Sequence, residues 1–142
     1  MANAVYDAFK QGVLNAEYDL NTASVKVALV RNYTFSAAHS TMDDVTAAGG
    51  VVNGTSAALA NAVITGGVFD ADDTTITTTA SAVNHYFVVY QASAVGGGAD
   101  VAGSAQKLIA YFDTGSGLPV QPGNGTVTIT WANTSNRILK VG

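Results

Sequence analysis

The spacing of apolar residues changes once along this chain. From Asn3 to Ala16 the apolar positions Val5, Phe9 and Val13 recur every four residues, as on one face of an α-helix. Asn3 is placed to cap that helix, and Asp7 falls in its first turn, where negative charge is favoured. An interior Gly12 weakens it by about 1 kcal/mol relative to Ala. The stripe is narrow, so the helix is expected to lie against another element. From Val25 onward the period is two. Val25, Val27 and Leu29 share one side of a strand, and Lys26, Ala28 and Val30 share the other. Further strand-like runs are Val51-Val52, Ala57 to Ile64, Gly67 to Phe69, Thr74 to Thr79, His85 to Gln91, Lys107 to Asp113, Thr126 to Trp131 and Arg137 to Val141.

Turn chemistry separates these runs. Asn53-Gly54 and Asn124-Gly125 read as tight reversals, Met42 to Val45 as a short acidic turn, and Asp70 to Asp73 as a polar turn. Gly96-Gly97-Gly98 reads as a flexible surface loop. The expected fold is all-β: one domain over residues 1–142, a jelly-roll-like β-sandwich with a short N-terminal helix.

Two of the strands are apolar on both faces. Tyr86, Val88 and Tyr90 alternate with Phe87 and Val89, and Leu108 to Phe112 is similar. A sandwich strand ordinarily turns one face to water, so the second face must be covered by the helix, a long loop or another subunit. Partial cover by a partner is favoured here. Thr126, Thr128 and Thr130, by contrast, alternate with Val127, Ile129 and Trp131 as in an ordinary half-exposed strand.

Composition supports the partner. Of 142 residues, 48% are hydrophobic but only 11% charged, against roughly 25% charged in an ordinary soluble domain. The surface is therefore built from Ser, Thr, Asn, Gly and Ala, which lie against another protein at little desolvation cost. Net charge is −4 and the six basic residues are scattered, so the basic footprint of nucleic-acid binding is missing. Without cysteine, disulfides, thiolate metal sites and cysteine nucleophiles are excluded. The N-terminus lacks the pattern of a signal peptide, and no apolar run approaches the ~18–20 residues that span a bilayer. A soluble product made in the cytoplasm is expected.

Chemical signatures are weak. Asp70, Asp72 and Asp73 begin like a calcium loop, but Thr75 and Ser81 stand where that loop needs Gly and Glu. His39 and His85 lack the paired spacing of zinc ligands; His39 is expected in a loop and His85 beside a strand. Ser116 sits in Gly115-Ser116-Gly117, a turn and not a nucleophile elbow. The four Asn-x-Ser/Thr sequons are what an Asn- and Thr-rich chain shows by chance. No catalytic residues, cofactor or metal are expected. Tyr86, Tyr90, Tyr111 and Trp131 suggest one alternative, a sugar-binding platform on a tail or fibre module.

The opening Met1 to Asp7, the stretch from Leu108-Ile109-Ala110-Tyr111-Phe112-Asp113-Thr114-Gly115 to Leu118-Pro119-Val120, and the ending Trp131-Ala132-Asn133 with Asn136-Arg137-Ile138-Leu139-Lys140 carry a resemblance. They are similar to small structural proteins of tailed bacteriophages, above all to the cement (decoration) proteins of short-tailed phages such as those of Bordetella. The resemblance covers both ends of the chain well and the middle loosely. It implies a jelly-roll subunit, a homodimer, bound to the major capsid protein outside an icosahedral head. The expected location is the virion surface, with neither nucleic acid nor membrane as partner. On that footing the expected contact residues are Tyr6 and Phe9 on the helix, Tyr33 and Phe35 in the following loop, and Ile138, Leu139 and Val141 at the end. Removing Ala2 to Lys10 is then expected to leave a folded domain that binds capsids less well.

Overall fold

The computed structural model describes residues 3–133 and 138–141. In chain order the first elements are β1 (Ala4–Val5), α1 (Asp7–Leu14), β2 (Val25–Arg31), α2 (Met42–Ala47), β3 (Val51–Thr55), β4 (Val63–Thr65) and β5 (Val68–Asp70). They are followed by β6 (Thr74–Thr77), β7 (Tyr86–Gln91), β8 (Ser93–Ala94), β9 (Gly97–Asp100), β10 (Lys107–Phe112), β11 (Thr126–Ile129) and β12 (Leu139–Lys140). The structure is mostly β, in several antiparallel sheets. The largest has the order β1-β10-β7-β2-β3; smaller ones are β12-β5-β4, β11-β6 and the hairpin β8-β9. Among the described residues no helix is long and apolar enough to cross a membrane.

The double-faced strands are the middle of the large sheet, and the chain covers both of their faces itself. Val25, Val27, Leu29, Phe87, Val89 and Ile109 face one layer, made of the small sheets with Phe9 and Leu20. Ala28, Val30, Val88, Tyr90, Leu108 and Tyr111 face another, made of Tyr6, Met42 and Val45 with Tyr33 and Phe35. The cover inferred from β7 and β10 is therefore largely the segment from Tyr33 to Ala47. A register shift between Leu108 and Ala110 lets Leu108 and Tyr111 reach the same layer.

Several elements differ from the sequence-based expectation. The helix is shorter than Asn3 to Ala16, because the open flank of β10 takes Ala4 and Val5 as a strand, paired with Tyr111 and Ala110. Asn3 does not cap it. Its Oδ1 accepts from the N–H groups of Asp113 (3.0 Å) and Thr114 (2.9 Å), and its Nδ2 donates to Thr114 O. Met42 to Val45 is not a turn but the start of α2, where Thr41 and Asp44 form a capping box. Asn53 and Gly54 lie inside β3 rather than in a reversal. An added Cβ at Gly54 would meet Thr77 O at 2.7 Å, so close approach to β6 requires glycine there. Gly97 and Gly98 belong to β9 and not to a loose loop. Ala57 to Ala62 is irregular, and only Val63 to Thr65 pairs. Arg137, expected to begin the last strand, lies outside the described residues. The alternation from Thr126 to Trp131 is as expected, with Val127, Ile129 and Trp131 buried and the threonines exposed.

Candidate docking surface

The seven residues singled out as contacts fall into two groups on different layers. Tyr6, Tyr33 and Phe35 meet on the α2 side. Tyr6 is fully buried, and Tyr33 and Phe35 are half-buried. Phe35 stacks on Tyr111 with ring centroids 5.1 Å apart, and Tyr33 meets the same ring edge-on at 5.5 Å. The hydroxyls of Tyr6 and Tyr33 lie 3.1 Å apart, and Tyr33 Oη lies 2.7 Å from His39 Nδ1. Burial pushes the Tyr111 phenol up to about 12 and raises that of Tyr33; it carries that of Tyr6 far above the ordinary value. The loop is tied down from α2, where Asp44 Oδ2 accepts from the N–H groups of Ser40 (2.8 Å) and Thr41 (2.9 Å). Those bonds hold the Asp44 carboxyl below the usual carboxylate range. This group is built chiefly as core.

Phe9, Ile138, Leu139 and Val141 lie on the opposite layer. Phe9, Ile138 and Leu139 are buried, and Val141 is 55% exposed. Phe9, Leu139 and Val141 line a groove of about 280 Å³ between α1 and the β12-β5-β4 sheet, together with Val13, Ile64 and Phe69. Val13 and Ile64 are 41% and 49% exposed, so aliphatic side chains here remain uncovered. Among the described residues, Asp19 is the one charged residue lining the groove. Its carboxylate is engaged by the Thr22 hydroxyl at 2.6 Å and the Asn21 N–H at 3.0 Å, which lower its proton affinity. Ile64 was not singled out from the sequence. The signal was present nonetheless, since no charged residue stands between Asp44 and Asp70.

The residues weighed for chemistry are dispersed. Asp70, Asp72 and Asp73 border an open polar hollow with Asn61 and Asn133. Asp72 accepts from Asn61 Nδ2 at 2.7 Å, and Asp73 accepts from the Trp131 N–H at 2.9 Å. Among the described residues, no group of three or more His, Cys, Asp or Glu is placed to hold a metal ion. His85 is fully buried, with Nδ1 2.6 Å from Val83 O and Nε2 3.2 Å from Asn53 Nδ2. His39 sits in the Tyr33 cluster, bound to the Tyr33 hydroxyl. Of the aromatics weighed as a sugar platform, Tyr90, Tyr111 and Trp131 are buried and Tyr86 is half-buried. Trp131 and half-buried Phe112 wall an open cleft of about 660 Å³, rimmed by Thr114, Ser116, Thr128 and Thr130. Compared with known proteins, the chain matches no family model, no curated protein and no solved structure.

Proposed function

We propose that this chain is a structural protein of a tailed-bacteriophage virion, a jelly-roll-like sandwich that binds the outside of the icosahedral head. There it bridges neighbouring capsomers and stabilises the mature shell. Its partners are the major capsid protein and a second copy of itself, and it is not an enzyme. The observation that carries the reading is the low charge of the chain joined to the uncovered aliphatic groove between α1 and β4, an arrangement suited to permanent contact with protein. The similarity of both ends to cement proteins supplies the setting. Two linked contacts per dimer give a bridge a high effective concentration, so each contact needs only moderate affinity. Preference for the expanded lattice over its precursor then selects the mature state.

A second reading, a carbohydrate-binding tail or fibre module, draws on the cleft beside Phe112 and Trp131, whose apolar wall and hydroxyl rim suit a neutral sugar. Quantitative mass spectrometry of purified virions separates the two. Copies on the scale of the major capsid protein are expected. A handful per particle moves the chain to the tail and favours the sugar reading, and complete absence ends both.

A further inference from the structure

Natural sheet edges are blunted by charge, proline, bulges or a covering element, because an open row of backbone groups pairs readily with another strand. β12, the far edge of the three-stranded sheet, carries Lys140, and β3, an edge of the large sheet, is closely approached by β6. Among the described residues, β4 has no such device. All three of its residues are exposed, and neither a charged residue nor a proline occurs between Val45 and Phe69.

The register identifies which groups face outward. Gly66 and Gly67, at φ +58° and +78°, form a two-residue hairpin turn between β4 and β5. Thr65 and Val68 close such a hairpin as a hydrogen-bonded pair, and Val63 with Asp70 is the next pair of that kind. On the other flank of β5, Leu139 faces Phe69 and the Val141 N–H donates to Gly67 O at 2.8 Å, which keeps the same alternation. The N–H and C=O of Ile64 therefore point away from β5. The Ile64 side chain ends the cross-strand row Leu139, Phe69, Ile64, in which the first two are buried and the third is half-exposed.

We propose that β4 pairs antiparallel with β4 of a second copy of this chain, centred on Ile64. Each Ile64 then exchanges both of its outward backbone hydrogen bonds with its mate, and Val63 faces Thr65 of the other copy. Two three-stranded sheets become one of six strands, and the apolar row continues across the seam. The two-fold axis runs perpendicular to the sheet, so both α1 helices stay on one face and their grooves open toward the junction. The occupant is a second copy because the edge is self-complementary and the pairing closes on itself. Charge agrees: a chain of net charge −4 meets its like along its uncharged stretch. A stable interface takes roughly 800 Å² from each partner, more than three paired residues supply. Val13, Leu14 and Val141, exposed by 41%, 85% and 55%, provide the adjoining apolar surface. The inference rests on the self-association in the reading above and not on its shell binding.

Sedimentation equilibrium of the full chain tests it, with Ile64→Lys to place a charge on the edge and Val51→Lys as a control on β3. Wild type and V51K are expected as dimers, and I64K as a monomer of half the mass with an unchanged circular dichroism spectrum. If I64K does not fold, Ile64→Thr replaces it and is expected to dissociate at higher protein concentration than wild type. A wild-type monomer overturns the proposal, and so does a folded Ile64 variant that dimerises as tightly as wild type. Co-sedimentation with expanded shells keeps the two readings apart. A wild-type monomer that still binds shells ends the β4 pairing and leaves the shell reading standing.

Discussion

The two groups of residues expected as contacts, one aromatic and the other mostly aliphatic, meet different fates. Around Tyr6 the chain folds its own aromatic loop over the large sheet, and the hydroxyls of Tyr6 and Tyr33 meet each other and His39. Around Phe9 it stops short, leaving Val13, Ile64 and Val141 uncovered beside an open strand. Aromatic content therefore identifies the closed region, and the open one is marked by small aliphatic side chains and missing charge. A tyrosine can satisfy its polar end inside a layer and still fill volume. An aliphatic row has no such terminus, so it ends wherever the sheet ends.

The largest effect is expected on removing Ala2 to Lys10. With Tyr6 and Phe9 buried and Ala4 and Val5 paired to β10, the truncated chain is expected to unfold, reversing the expectation drawn from sequence. A cooperative thermal transition in the truncated protein would return the segment to the surface. Next in size, Tyr6→Ala and Trp131→Ala should each cost about 3–5 kcal/mol, read from the denaturant midpoint, since both rings are buried. Asp44→Ala should cost about 1 kcal/mol through loss of the capping box. Because the Asp44 carboxyl is held below its ordinary value of 3.8, its contribution is intact above that pH and fades as pH falls further. An acid transition identical in wild type and variant would refute the cap. Smallest is Ile64→Thr, expected to stay within about 0.5 kcal/mol of wild type in chemical denaturation carried out on monomer.

Alkali probes the closed region separately. Tyr90 and Tyr111 are pushed up to about 12 by burial, whereas unfolding returns them to about 10. Their folded-state values are raised, so the stabilisation is complete below pH 10 and is lost as pH rises toward 12. Unfolding and phenolate absorbance should therefore appear together in that window. Phenolate absorbance that completes near pH 10 with the fold intact would place these rings in water.

Much of the strand pattern could be read directly: burial in β11 follows its alternation, and β2, β7 and β10 are buried along most of their length, as strands apolar on both faces require. Sequence also showed that β7 needed cover on two faces, but it could not say from where. That depended on α2, whose single visible sign was Thr41 three residues before Asp44. The helix start was misread for the opposite reason: a local four-residue period was overridden by a pairing with β10, more than a hundred residues away. Of the residues lining the groove, Phe9, Leu139 and Val141 had been singled out from sequence. Ile64 was missed because exposure at a sheet edge is a property of topology and leaves little trace in hydrophobicity.

The order β1-β10-β7-β2-β3 has a consequence for how the protein is made. Residues Asn3 to Tyr6 are held by a strand synthesised more than a hundred residues after them, with Tyr6 N–H donating to Ile109 O and Asn3 bound to Asp113 and Thr114. A nascent chain on the ribosome therefore carries Tyr6 and Phe9 unburied until β10 has emerged. Closure of the large sheet is a late, long-range event, of the kind that slows folding and exposes a chain to aggregation. A chain of this design is a natural client for chaperones during synthesis, and any truncation that removes β10 leaves Tyr6 with no strand to hold it.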